Sequence, residues 1–253
     1  VEETTSAGAR PLTVTSSDTT RLTTTDQAIA VVESLAIIPS STSGEEEVWM
    51  IVQRTINGVT RRYVEYLSDQ FDVEENQTKA DAFFVDSGLS YSGAAAASIT
   101  GLGHLEGQAV SILGNGSVYT KRNVSSGAIS TVDPTVTKAQ IGLANECIMK
   151  TLRPEAGGDD GTSQGKAKRD FEVTLRLIDT LGGKIGPDIS TADEIIFRTG
   201  SDPMDSSPPL FTGDKRINIR GGWDTAGQTV YLNDEPLPAH ITALITRIIT
   251  HDG

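Results

Sequence analysis

The sequence predicts an all-β protein with almost no helix. Three observations carry this prediction: two strand-like runs joined by Asn57-Gly58, short strands separated by Gly-rich turns, and a period-two alternation of apolar residues after Arg169. Residues 1–27 are rich in Thr, Ser and Glu, which predicts an extended lead-in. The sequence contains no heptads or longer repeats, so the strand pattern alone defines the expected organisation.

Residues 28–79 predict an antiparallel β meander. A strand from Ala28 to Pro39 leads into a hairpin, because Asn57-Gly58 tolerates the positive φ angles of a type I′ turn. A two-residue loop also sets the register. The expected opposed pairs are Ile56 with Val59, Arg54 with Arg61, Val52 with Tyr63, Ile51 with Val64, and Trp49 with Tyr66.

The two ends of this hairpin differ in character. The open end carries apolar side chains on both faces, so we expect both faces to be covered. At the turn end, Arg54 lies opposite Arg61, and opposed like charges are tolerated where water screens them. We therefore expect the tip to project into solvent.

Residues 80–150 predict a small β-barrel-like or sandwich domain. A short strand is expected at 80–85, whereas 88–103 is rich in Gly, Ala and Ser and lacks bulky core residues. Short strands with intervening Gly-containing turns at about ten-residue spacing are typical of small barrels and sandwiches. The expected strands are 108–113, 117–119, 128–132 and 138–143.

Residues 151–253 predict a β-rich C-terminal region, with a return to the first sheet as one arrangement. An exposed loop is expected at 156–165. The next strand, 169–179, has Phe171, Val173, Leu175 and Leu177 on its apolar face. Further strands are expected at 194–198, 216–219, 228–232 and 241–249.

Composition excludes several classes of function. The formal net charge of −13 argues against a protein whose affinity for nucleic acid comes from Lys and Arg on phosphates. Cys147 is the only cysteine, so no internal disulfide or Cys-based zinc site is expected. The sequence shows no signal peptide and no apolar run near the ~18–20 residues of a membrane helix, which predicts a soluble protein without membrane insertion. A start at Val1 instead of Met favours part of a longer chain.

The histidines and serines do not form a recognisable catalytic pattern. His104, His240 and His251 are scattered without metal-ligand spacing. We expect His104 to hydrogen-bond a turn and His251 to lie at a frayed end. No Gly-x-Ser-x-Gly elbow is present, and Ser92 and Ser126 are interpreted as turn residues.

The loop acids and glycines are likewise given structural interpretations. The spacing of Asp159, Asp160, Asp202 and Asp205 matches no calcium loop, so solvated loop acids are expected. Gly114-Asn115-Gly116 and Gly221-Gly222 are interpreted as turns, because neither precedes a helix. The basic run 165–169 is interpreted as a solvated strand end, with contact to a phosphate or an acidic partner as the alternative. No catalytic, cofactor or metal site is predicted.

Several segments resemble one protein family. The run from Val48 to Gly58, continued by Tyr63-Val64-Glu65, resembles a recurrent segment of tail nozzle (tail tubular) proteins of short-tailed bacteriophages. The resemblance covers about Val32 to Ile245. The other segments that resemble the family, in the same order, are 81–89, 101–107, 165–169, 209–214 and 234–238.

The resemblance implies a structural virion protein without enzymatic activity. It implies the C-terminal part of a longer chain with a propeller-like body, assembled in the host cytoplasm into a homohexameric ring at the tail end. The ring would contact tail adaptor and tail fibre or tip proteins, and viral DNA would pass through its channel without specific binding. Acidic walls fit this role, because they lower phosphate affinity within a Debye length of about 8–10 Å.

Two other classes of function stay open. A receptor-binding tail module would recognise cell-surface polysaccharide through aromatics such as Trp223 and Tyr231, although the aromatic content is only 5%. An enzyme that cuts cell-wall glycan would need two carboxylates about 5–10 Å apart, which meet in space from distant strands and leave no sequence pattern.

Overall fold

The structure, a computed structural model, describes residues 3–6, 30–39, 46–130, 132–155 and 162–251. The described chain is nearly all β with single-turn 3-10 helices at Gly103–Leu105 and Ile189–Thr191, so the all-β prediction is confirmed. The strands are β1 Glu3–Ser6, β2 Ala30–Pro39, β3 Glu46–Ile56, β4 Val59–Leu67, β5 Val85–Ala96, β6 Ile99–Thr100, β7 Ala109–Gly114, β8 Ser117–Asn123, β9 Ala128–Ile129, β10 Val136–Ala144, β11 Cys147–Lys150, β12 Ala167–Thr180, β13 Lys184–Gly186, β14 Asp193–Glu194, β15 Phe211–Asn218, β16 Val230–Asn233 and β17 His240–His251.

The chain divides into two compact units, Val1–Asn145 and Glu146–Gly253. In unit 1 an eight-stranded sheet has the order β2-β3-β4-β1-β5-β10-β7-β8, and β6 pairs with β9. The sheet takes strands from both predicted segments, 28–79 and 80–150. Its strands pair antiparallel except for the parallel pair β1 and β4. The described strands close no barrel, so of the two arrangements predicted for 80–150 the barrel is not formed.

The predicted hairpin register is confirmed at every pair. β3 and β4 pair Ile56 with Val59 and continue without a shift to Trp49 with Tyr66. Asn57 and Gly58 have φ angles of 49° and 74°, as the type I′ turn requires. The Trp49 and Tyr66 rings lie 5.0 Å apart between centroids.

The prediction that both hairpin faces are covered is wrong. Met50 and Val52 are 5% and 1% exposed, whereas Ile51 on the opposite face is 39% exposed. The prediction of a projecting tip is confirmed for residues 57–62, which are exposed, but not for Ile56 beside them. Ile56 belongs to the main apolar core of unit 1 and is 6% exposed. The tip is therefore anchored by its own apolar residue.

Arg54 is the clearest exception to the sequence interpretation. Its side chain is 4% exposed and donates from Nε and Nη2 to the two carboxylate oxygens of Glu65, each over 2.9 Å. Glu65 is fully buried. The charge of Arg54 is therefore neutralised by a carboxylate on the neighbouring strand, and it does not require water.

The first part of the Gly-Ser-rich segment, for which no strand was predicted, belongs to the long central strand β5. The strand β5 begins at Val85, and most of the segment predicted as a strand at 80–85 lies outside it. A Cβ at Gly88 would lie 2.6 Å from Phe83, and one at Gly142 of β10 would lie 2.8 Å from the Gly88 Cα. The small residues allow β5 and β10 to approach closely. Ser92 accordingly pairs with Lys138 in this sheet and is not in a turn.

Unit 2 contains a three-stranded sheet, β15-β12-β17, and a four-stranded sheet, β11-β16-β13-β14. None of its described strands joins the eight-stranded sheet, so the arrangement with a return to the first sheet is not formed. Of the strand predicted at 194–198, only Glu194 is in a strand. His251 ends β17, paired with Ala167, and is not frayed.

A β-bulge changes the predicted inner face of β12. Val173, Leu175 and Leu177 are buried as predicted, but the pairing with β17 shifts between Asp170 and Glu172. The extra residue, Phe171, is half-buried. Before the bulge, the buried side is therefore occupied by Lys168 and Asp170, which are 1% and 5% exposed. The prediction that the basic run is a solvated strand end is wrong for Lys168.

Candidate assembly edge and polar cleft

The strand β2 forms one edge of the eight-stranded sheet, with β3 as its only neighbour among the described strands. It is ten residues long and exposed at every position. One row of its backbone N–H and C=O groups therefore lacks a ladder partner within the described chain, which makes a long edge a template for another strand.

The apolar face of the sheet continues onto this strand without cover. Val32 and Leu35 pair with Val52 and Met50, whose side chains are buried, and so lie on the same face. On β2, however, Val32, Leu35 and Ile37 are 48%, 66% and 66% exposed. We call this row the β2 strip; it is the part of an otherwise buried face that extends beyond the core.

The other edge of the same sheet is protected in the usual way. The outer strand β8 carries Lys121 and Arg122, both exposed, and its single large exposed apolar residue is Val118 at 40%. Charged side chains on an edge strand discourage pairing with another chain. The strand β2 has only one charged residue, Glu33, which accepts bidentate hydrogen bonds of 2.6 and 3.0 Å from Arg62 across β3. The β8 edge is thus protected by exposed charges, whereas the β2 edge is mainly apolar.

A second feature, the Lys168 cleft, lies in unit 2. It has a volume of about 90 Å³ and is lined by Lys150, Lys168, Asp170, Pro187, Gly221, Gly222, Asp224, Ala226, Gly227 and Gln228. The backbone of Lys168 pairs with that of Asp224 over 2.7 and 2.8 Å, which holds the 221–227 loop against β12. A Cβ at Gly227 would lie 2.9 Å from the Lys168 Cβ, so only glycine leaves room for the lysine stem.

A buried carboxylate of this cleft has unused hydrogen-bonding capacity. Asp170 Oδ2 accepts a hydrogen bond of 2.8 Å from Thr229 Oγ1, but Oδ1 is buried with no partner among the described residues. The charge of Lys168 acts on Asp170 and also on Glu155. Burial raises the pKa of the Asp170 carboxyl, opposed by the Thr229 hydrogen bond and by the nearby Lys168 charge. Native buried polar atoms without partners are uncommon.

The three histidines are not brought together. His104 is 5% exposed and its Nε2 lies 2.8 Å from the carbonyl oxygen of Ser87, so it is a structural residue as predicted, although its partner lies in the strand β5 and not in a turn. His240 and His251 lie at opposite ends of β17. Among the described residues, no group of three or more His, Cys, Asp or Glu is placed to hold a metal ion.

The other candidate residues have structural roles. Asn115 and Gly116 have φ angles of 49° and 76° and form the turn between β7 and β8. Ser126 lies in a turn as predicted, with its N–H donated to Glu106. Asp202 accepts hydrogen bonds of 2.6 and 2.9 Å from Thr199 and so closes its own loop. Asp205 is exposed, and Asp159 and Asp160 lie outside the described residues.

The two aromatic residues of the receptor-binding alternative differ in accessibility. Trp223 is 50% exposed, lies between two residues of the cleft lining, and packs edge-on against His251. Tyr231 lies in β16, within the strand predicted at 228–232, and is 3% exposed, so it is not accessible to a polysaccharide. Burial also raises the pKa of the Tyr231 hydroxyl well above its ordinary value.

Neither the β2 strip nor the Lys168 cleft was predicted from the sequence. The β2 strip was visible as an apolar run, but a run cannot show which of its faces is covered. The Lys168 cleft had no signal, because a lysine in a basic run is normally exposed and a bulge leaves no pattern. In the part of the chain that the structure describes, no helix is long and apolar enough to cross a bilayer.

No protein-family model matches this chain, and no curated protein matches it. The resemblance to tail nozzle proteins therefore stays a prediction.

Proposed function

We propose that this chain is a structural virion protein, a ring-forming component of the tail nozzle that surrounds the genome-ejection channel of a short-tailed bacteriophage. The observation that carries the proposal is the β2 strip on an open strand edge. An exposed edge with apolar side chains and little charge is a surface for association with another chain.

The segments that resemble the nozzle family support a shared scaffold. Glu106 accepts hydrogen bonds of 2.9 and 2.7 Å from the N–H groups of Ser126 and Gly127. Asp81 forms an ion pair with Lys138, and Leu237 is 5% exposed. Such residues fix loops and cores. The resemblance thus concerns the fold, and the assembly proposal depends on the β2 strip.

A ring of identical subunits, six by the resemblance, fits an edge of this kind. In a ring, each subunit presents one surface to the next subunit and a different surface to the previous one, so the β2 edge would supply one of the two surfaces of each contact. Tail adaptor and tail fibre or tip proteins would be the neighbours above and below. The net charge of −13 suits a channel through which DNA passes without specific binding.

The proposal is tested by the assembly state of the purified chain. We expect negative-stain images to show closed rings around a pore, and light scattering after size exclusion to give a six-subunit mass. The double variant Leu35→Lys/Ile37→Lys should be monomeric. The matched control is Val118→Lys on the opposite edge of the sheet, which should still form rings.

Two results would overturn the proposal. One is a wild-type chain that stays monomeric as its concentration is raised. The other is a ring that persists in the double variant with both lysines in place, because the β2 strip would then not be the assembly surface.

A further inference from the structure

We propose that the Lys168 cleft of unit 2 binds a hydroxylated carboxylate, specifically an acidic sugar. The proposal does not depend on ring formation. It concerns two buried polar residues that the proposed function leaves unexplained, Lys168 and Asp170, which are 1% and 5% exposed.

Lys168 and Asp170 need different partners. Lys168 is a cation that cannot accept hydrogen bonds, and Asp170 Oδ1 is an acceptor without a donor among the described residues. Leaving the buried Asp170 Oδ1 unmatched costs free energy. A ligand that satisfies both must bring an acceptor, best an anionic oxygen, and a hydroxyl donor.

The cleft carries charges of both signs. The lining contains Lys150 and Lys168 but also Asp170 and Asp224, so its formal charges balance. A bare anion such as phosphate would meet two carboxylates as well as two amines. A sugar acid places its carboxylate on a lysine and donates a hydroxyl to an aspartate, and so pairs with both signs of charge.

The cleft has the size and surroundings for part of a sugar acid. A cleft of about 90 Å³ accepts a carboxylate with its neighbouring hydroxyl, and the rest of a sugar ring would lie at its mouth. The chain at the mouth is Gly221-Gly222-Trp223-Asp224, whose glycines leave the backbone accessible. Trp223 is 50% exposed, and exposed aromatic rings supply apolar surface with a polar edge for ligands of this kind.

The experiment uses the full chain and D-glucuronate as the probe, with D-glucose as its neutral analogue and inorganic phosphate as the bare anion. A Trp49→Phe background leaves Trp223 as the only tryptophan, so its fluorescence reports the cleft region, and calorimetry gives the affinity. We expect saturable binding of glucuronate that is at least tenfold tighter than that of glucose or phosphate.

Substitutions then assign the binding to the two residues. Lys168→Met and Asp170→Asn preserve side-chain volume, and each should weaken glucuronate binding at least tenfold. The matched control is Arg220→Gln, which removes a positive charge next to the lining without belonging to it. If Lys168→Met does not fold, Gly222→Leu replaces it, with Gly200→Leu as control, because a Cβ at either glycine meets no atom within 4 Å.

Three results would overturn the inference. One is the absence of saturable glucuronate binding by the folded wild-type chain. Another is binding of glucose or phosphate as tight as that of glucuronate. The third is a glucuronate affinity that is unchanged both in Asp170→Asn and in Lys168→Met, or in Gly222→Leu where Lys168→Met does not fold. None of these results affects the ring assay, so failure here and failure of the proposed nozzle function are distinguishable.

Discussion

The buried pair of Arg54 and Glu65 allows the strongest prediction about stability. Replacement of Arg54 by Met keeps an unbranched side chain of similar length but leaves the Glu65 carboxylate, which is fully buried, without its two hydrogen bonds of 2.9 Å. Breaking one side of a buried ion pair costs about 3–5 kcal/mol. We expect a loss in that range, because the charge of Asp86 also acts on Arg54 and would lose the same partner.

The pKa of Arg54 agrees with the direction of this effect. Burial lowers that pKa, but the hydrogen bonds and charge of Glu65, together with Asp86, outweigh burial and raise it overall. The guanidinium therefore stays charged, and its attraction to the carboxylates exceeds its own desolvation penalty. Removing it leaves the desolvation of Glu65 uncompensated.

The assay is urea denaturation, because urea does not screen charges. Trp49 lies in the same hairpin, so its fluorescence in a Trp223→Phe background reports unfolding of unit 1. The matched control is Arg62→Met, which breaks the exposed pair with Glu33 and should not change the midpoint measurably. The double variant Arg54→Met/Glu65→Leu should recover most of the loss, since no buried charge is then unpaired. A loss below about 1 kcal/mol in Arg54→Met would refute the reasoning.

Three further predictions concern unit 2 and the acid stability of unit 1. Gly183→Ala, at a φ of +96°, would push a methyl group into the Tyr231 hydroxyl and should cost about 1–3 kcal/mol in urea, whereas Gly200→Ala should be nearly neutral. Burial raises the pKa of Asp81, but hydrogen bonds from Lys138 and Thr78 outweigh burial and hold that pKa below its ordinary value. The resulting stability is present above the unfolded-state pKa and is lost as the pH falls through the folded-state pKa. Below about pH 4, the urea midpoint of Asp81→Asn should therefore change less with pH than that of the wild-type chain. Burial raises the pKa of Asp170, so its contribution to stability has the opposite pH dependence. The contribution is greatest below the unfolded-state pKa and declines as the pH rises through the folded-state pKa. In Asp170→Asn, the urea midpoint should no longer show this decline with rising pH.

The hairpin shows how far sequence reasoning reaches in this chain. Its register depends on two turn residues and a period of two, and all of this information is local, so each opposed pair from Ile56 to Trp49 was predictable. The burial of Arg54 was not predictable, because it depends on the ion pair that its side chain forms with Glu65 on the neighbouring strand. A local rule considers only the residue that lies directly opposite on the neighbouring strand, and for Arg54 that residue is Arg61.

The errors at β5 and β12 have a different physical origin. A strand rich in Gly and Ser looks like a loop until its neighbour is known; Gly88 and Gly142 are small because β5 and β10 approach closely there. In β12 a single extra residue, Phe171, changes which alternate residues are buried. Even-numbered residues such as Lys168 and Asp170 are buried before it, and odd-numbered residues such as Val173 are buried after it. The candidate cleft exists because of that bulge, so no alternation rule applied to the sequence would have found Lys168 inside.

The energetics of the β2 strip bear on what kind of assembly it supports. Full burial of a Val, Leu or Ile side chain is worth about 1.5–3 kcal/mol, and the three side chains of the strip are 48–66% exposed, so covering them contributes roughly 3–5 kcal/mol. Loss of translational and rotational freedom on association costs about 4–15 kcal/mol. The strip alone therefore does not hold two subunits together. In the proposed ring, backbone pairing along β2 adds to each contact, and the last contact closes the ring without a further loss of translational freedom. In the proposed ring, this closing contact favours the closed ring over an open chain of the same subunits.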